Sequence, residues 1–163
     1  VTRARATADK LPGMGALHIV LLVIAIIAVV LAVVVIVARV VVGKVRAAGE
    51  ARISAEFTPD EVVLRDPMAN YFGLESKGGN QIRGNGALVL ADSRLWFARA
   101  GSATALDIAL SSVTAVDLVR AHAGKSAGRA LLRVSFGEDS AAWYLGDLEK
   151  WRSEILARVP GLV

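Results

Sequence analysis

The 163-residue chain has no cysteine, two histidines and few aromatic residues. Without cysteine it can form neither a disulfide nor a thiolate-ligated metal site. With His18 inside an apolar run, His122 is the one histidine left for the rest of the chain, and it sits in a glycine-rich stretch with no carboxylate beside it in sequence. A zinc site or a nucleophile–histidine–acid arrangement usually draws on more than this. The expectation is therefore a protein that is not an enzyme and carries no cofactor and no metal.

Charge is missing over one long interval. Between Lys10 and Arg39 there is no Asp, Glu, Lys or Arg, and Ala16–Ala38 reads ALHIVLLVIAIIAVVLAVVVIVA. A run of this length spans a hydrocarbon core of about 30 Å at about 1.5 Å per residue. A lone segment in lipid satisfies its backbone hydrogen bonds only as a helix, so its β-branched residues do not argue against one. The expected transmembrane helix is 16–42, the lipid bilayer being its partner. A cleaved signal peptide fits the basic start, Arg3, Arg5 and Lys10, but its apolar core would be about 7–15 residues, and no small-residue cleavage site follows the run directly. A buried core helix would need more surrounding chain than there is. His18, within a turn of the start, can reach the headgroups and carries no functional reading.

Positive charge is unevenly placed. Residues 1–52 hold seven Lys and Arg against two Asp and Glu, and residues 53–163 hold twelve against thirteen. The sequence pI of about 9.9 thus belongs to the flanks of the apolar run, and a nucleic-acid-binding face is not expected on the remainder. Arg39, Lys44, Arg46 and Arg52 follow the run, against Arg3, Arg5 and Lys10 before it. Positive residues favour the cytoplasmic side, so the expected arrangement is a single-pass protein of the cell membrane with its C-terminal part in the cytoplasm.

Beyond the run, residues 1–15 being an N-terminal tail, the expected division is a stalk over 43–69, into which the helix continues for two or three turns before breaking near Thr58-Pro59, and a folded domain over 70–160. Thr58-Pro-Asp-Glu reads as a helix start, with Thr58 as cap and Pro59 in the first turn. From Asn70 the texture becomes that of short strands. ALVLA and RLWFARA flank Asp92-Ser93 as a hairpin. ALDIAL, VTAVDLVRA, RALLRVSF and SAAWYLG follow, separated by Gly- and Ser-containing turns. Last, Asp147 precedes Leu148, Trp151, Ile155 and Val159 at helical spacing, and Pro160-Gly161 ends the helix. The fold class expected is mostly β: a seven-stranded antiparallel barrel capped by a C-terminal α-helix, behind a transmembrane helix. Trp96 should face away from Phe97, packing under a loop or lying exposed.

This order resembles the pleckstrin-homology-like (PH-like) superfold, in which two near-orthogonal sheets form a barrel plugged by a helix. The stretch GNGALVLADSRLWFARAGSATALDIALSSVTAVDLV is similar to the GRAM-like, bacterial PH-like branch. The matching positions are Gly86, Leu88, Leu90, Arg94, Leu95, Phe97, Ile108, Leu110 and Val113. Ala91 stands where a Thr is usual, and Ala109 departs from the Pro pattern. The resemblance covers about Phe72 to Arg158 and implies fold more than role, because the superfold hosts many unrelated binding functions.

Two loops carry the candidate binding residues. VRAHAGKSAGR contains the Gly-Lys-Ser that ends a phosphate loop, but Val119 stands where the first glycine belongs and a strand follows where a helix should. No nucleotide is expected there. The stretch reads instead as a solvent-facing hairpin loop, offering Arg120, His122, Lys125 and Arg129 to a headgroup or a protein. The second loop is KGGNQIR, where Lys77 and Arg83 lie in the region PH domains use for phosphoinositides. Gly84-Asn85 occupy the place of a further basic residue, so that motif is incomplete. Lys44, Arg46 and Arg52 are better placed in sequence to meet anionic lipid. The expected function is a membrane-anchored binding or scaffold module with a protein partner. The alternatives are a sensor of anionic lipid headgroups and an accessory subunit of a membrane assembly, for which Ala25, Ala28 and Ala32 would make a helix-packing stripe.

Overall fold

In a computed structural model of the protein, residues 15–161 are described; Arg3, Arg5 and Lys10 lie outside them. The chain divides into two compact units, one ending at Val42 and one comprising Gly43–Val163. A helix, α1 (Ala16–Glu56), runs through the boundary.

In the first unit, every residue from Leu17 to Val42 is exposed. The most apolar window of this helix has a mean hydropathy of 3.8, with none of it buried. The helix is long and apolar enough to cross a membrane.

The second unit holds seven antiparallel strands: β1 (Leu64–Leu74), β2 (Gly84–Leu90), β3 (Arg94–Arg99), β4 (Leu106–Ala109), β5 (Val113–His122), β6 (Lys125–Phe136) and β7 (Asp139–Tyr144). A helix, α2 (Leu148–Leu156), ends the fold. The strand order is β4-β3-β2-β1-β7-β6-β5. Strand count, direction and closing helix are as the sequence implied, with one correction: the barrel is not closed. β4 and β5 are the two edges of one sheet. They are joined through a 3₁₀ turn at Leu110–Ser112, so no ladder bonds seal the seam.

The sheet curls around one core. Leu88 and Leu90 of β2, Leu95 and Phe97 of β3, Val134 of β6 and Trp143 of β7 are buried with Trp151, Ile155 and Val159 from the α2 segment. Asp147 caps α2, its carboxylate accepting from the Lys150 N–H at 3.1 Å, which satisfies one of the free donors of the first turn. Two tight turns explain the long β5–β6–β7 meander. Ala123 and Gly124 both have positive φ, 48° and 71°, and Gly137 has φ 53°; such geometry suits two-residue hairpins.

Where a stalk was expected over 43–69, the chain is part of the folded unit. Residues 43–56 continue α1, and β1 begins at Leu64. Ile53 and Phe57 are buried with Ala87, Val89, Ala91, Trp96 and Ala98, on the outer face of β2–β3. Both faces of these strands are therefore covered, which is why ALVLA reads as a continuous apolar run. Trp96 packs under this end of α1. Thr58-Pro-Asp-Glu forms only one 3₁₀ turn, Pro59–Glu61, in which the Glu61 carboxylate accepts from the Thr58 N–H and hydroxyl at 2.7 and 2.8 Å. The ladder of β1 with β2 shifts between Asp66 and Ala69; this irregularity accommodates Pro67, which has no N–H to give a ladder.

Candidate functional site

The two loops singled out in the sequence meet at one end of the domain. Residues Glu75–Asn80, between β1 and β2, form two short 3₁₀ turns hinged at Gly78. The Gln81 amide pins them, donating to the Leu74 carbonyl at 2.6 Å and to that of Gly78 at 2.8 Å. The β5–β6 hairpin lies alongside. The Ala123 N–H donates to the Glu75 carboxylate at 2.9 Å, and the Lys125 ammonium to the Gln81 carbonyl at 2.6 Å. At the base, the Asp139 carboxylate accepts from the Ser76 N–H and hydroxyl at 2.9 and 2.6 Å.

His122 does not face solvent, as the sequence reading had it. It is 3% exposed, with Nε2 3.0 Å from the Gly73 carbonyl. A carbonyl only accepts, so Nε2 carries the hydrogen. Nδ1 lies 3.1 Å from Glu75 Oε2, without the alignment of a hydrogen bond. His122 thus ties the hairpin to the first loop rather than offering itself to a ligand, and Lys125 does the same through Gln81. Of the two glycines that made this stretch look open, Gly124 serves the tight turn and Gly128 lies within β6.

Arg83 stays exposed, its guanidinium 4.2 Å from the Phe72 ring centroid. Lys77 is exposed on the first loop. Arg120 and Arg129 stand apart, on the exposed faces of β5 and β6, with the Arg129 guanidinium 4.6 Å over the Tyr144 ring. Among the basic residues after the apolar run, Arg39, Lys44 and Arg46 are exposed. Arg52 is not available to lipid: its guanidinium donates to the Arg99 carbonyl at 2.8 Å and to that of Ser102, clamping α1 to the turn after β3.

Beside the first loop lies a cleft of about 490 Å³, between that loop and the segment joining β3 to β4. Tyr71 and Phe97 form its wall on the core side, with ring centroids 4.8 Å apart. Lys77 and Arg99 stand at its mouth with Ile82, which is 77% exposed. Neither cation has a carboxylate partner among the described residues; the nearby arginine Arg94 is the one that takes Glu56 and Asp107. Burial pushes the Tyr71 hydroxyl up to about 12, aided by the charge of Asp139 and opposed by Arg99, so the cleft presents a neutral phenol beside two cations. Arg99, Tyr71 and Ile82 were not picked out in the sequence. Arg99 ends a strand whose pattern reads as core, and its side chain lies along Gly84 of β2, where a Cβ would come within 3.4 Å of Arg99 Cδ. Among the described residues no group of three or more potential ligands could hold a metal ion.

No family model and no curated protein matches the chain. Among solved structures, the C-terminal domain of an unknown protein from Leishmania infantum aligns with a TM-score of 0.44 at 10% identity, over 60% of this chain and 82% of that one. Fold and site together define a class: an apolar helix of membrane-spanning length, and an open seven-stranded antiparallel sheet closed by a C-terminal helix.

Proposed function

We propose that the chain is a single-pass membrane protein whose second unit is a PH-like binding module. It presents the cleft between the 75–83 loop and the β3–β4 segment to a protein partner on the cytoplasmic side. The order of seven antiparallel strands and a closing helix supports the PH-like assignment. The excess of basic residues after the apolar run supports the orientation. The observation that carries the binding site is that Lys77 and Arg99, both without carboxylate partners among the described residues, line one cleft with an exposed Ile82 and an aromatic wall. An acidic segment with an apolar residue fits such a mouth, since unpaired cations steer it and an apolar anchor holds it. Tethering raises the local concentration of a membrane-associated partner, so modest contacts suffice.

A second reading, an anionic lipid headgroup at the same mouth, draws on the same two cations. A photo-crosslinking amino acid at Ile82 in native membranes separates the two. Protein adducts that disappear in Lys77→Glu and Arg99→Glu are expected. Adducts to lipid alone would favour the headgroup, and labelling no stronger than at the exposed Asp92 would remove both readings.

A further inference from the structure

The outer face of β2–β3 is covered only in part. Ile53 and Phe57 close one end of it over Val89, Ala91 and Trp96. Toward the earlier turns of this stretch of α1, a cleft of about 370 Å³ stays open, within the range of about 300–1,000 Å³ of small-molecule sites. Its walls are Val45, Ala48 and Gly49 on the helix and Ala87, Ala98 and Ala100 on the sheet side. These side chains are too small to fill the space between the two elements.

The walls offer little to a polar guest. Ala87 and Ala98 face each other in the β2–β3 ladder, so their backbone groups lie in a paired region of the sheet. Of the two cations lining the cleft, Arg52 is occupied by the carbonyls of Arg99 and Ser102. Lys44 is exposed and has no ion-pair partner among the described residues, Glu50 being taken by Arg65 at 3.2 Å. A peptide would bring backbone donors and acceptors with nothing to meet them, at a cost. A hydrocarbon chain brings none.

We propose that this cleft binds an anionic membrane lipid, with an acyl chain along the apolar walls and the phosphate on Lys44. In sequence, Lys44 is the second residue after the 16–42 run, which makes lipid the abundant apolar molecule for this segment. The proposal rests on membrane anchorage but not on the loop site; the two clefts share no lining residue.

The test uses the full chain in lipid nanodiscs doped with phosphatidylglycerol that carries a photoreactive diazirine in mid-chain. Adducts are mapped by peptide mass spectrometry. Labelling of residues 84–101 is expected, alongside labelling of 16–42. Ala48→Trp, at an exposed helix position, fills the cleft and abolishes the 84–101 adducts. Lys44→Glu lowers them roughly fivefold or more, the scale of a single charge near an anionic surface. Lys77→Glu leaves them unchanged. Adducts confined to 16–42 would overturn the proposal, as would 84–101 adducts that persist in Ala48→Trp, or equal labelling by a phosphatidylcholine probe. Absence of adducts even on 16–42 would overturn the anchorage as well.

Discussion

Phe57, one residue beyond α1, meets Trp96 of β3 edge to face, with ring centroids 5.4 Å apart and planes at 79°. The contact fastens the end of the long helix to the outer face of the sheet. It makes residues 43–57 part of the domain rather than a spacer before it.

Removing that contact should cost the domain much of its margin. Phe57→Ala deletes a buried ring and leaves a void against Trp96, a change of about 3 kcal/mol. Denaturant unfolding of the detergent-solubilised chain, followed by tryptophan fluorescence, measures it. A loss within about 0.5 kcal/mol, the range of ordinary surface changes, would show that the end of α1 is not held there.

Two glycines of the same helix should behave oppositely. A Cβ on Gly49 would collide with the Pro67 carbonyl, whereas one on Gly43 meets nothing within 4 Å. Gly43→Ala should stabilise by up to about 1 kcal/mol through helix propensity. Gly49→Ala should lower the melting temperature despite the same propensity gain, because a strand backbone cannot swing aside as a side chain does. Equal shifts for the two would contradict the close approach of α1 to the β1 bulge.

The loop end should be acid-sensitive through Asp139. Partial burial pushes its carboxyl up, but hydrogen bonds from Ser76 and Ser140 and the nearby His122 outweigh this and hold it below the ordinary value. A depressed folded value stabilises above the ordinary carboxylate range, about 4, and that contribution disappears as pH falls through the folded value. Ser76→Ala should flatten the acid limb of a stability–pH curve. An unchanged limb would mean that the Ser76–Asp139 contact does not persist in solution.

Tyr71 gives the corresponding alkaline limb. Its folded value, about 12, lies above the ordinary tyrosine value of about 10. The folded state thus keeps a proton that the unfolded chain gives up. This contribution is complete below about pH 10 and is lost as pH rises toward about 12. Phenolate absorbance of the folded chain should show a late-titrating component that is missing in Tyr71→Phe, whereas a component lost in Tyr71→Phe that titrates near pH 10 would place Tyr71 in water.

Much of the fold was legible because turns and alternation are local. Gly137, Pro160-Gly161 and the apolar spacing of Leu148, Trp151 and Ile155 mark their elements without reference to anything distant. The strand texture was expected from Asn70, whereas β1 begins at Leu64, and only its pairing with β2 shows that an irregularity between Asp66 and Ala69 absorbs Pro67. Of the site, Lys77 and Arg83 were legible as basic residues in a loop. Arg99 was not, since its place in the cleft depends on the path of its side chain along Gly84, 15 residues away in the chain.

The sequence alone determined that an apolar helix precedes a β-rich unit and that no cysteine chemistry is present, because length, hydropathy and composition need no partner to act. Tertiary structure decided what the ambiguous segments do. It packed the charged, alanine-rich stretch after the apolar run against the sheet, since Ile53 and Phe57 meet Val89, Trp96 and three alanines on and beside β2 and β3. It also took His122 out of water and brought Lys77 and Arg99 to one cleft, because which groups are buried or unpaired depends on contacts between residues far apart in the chain.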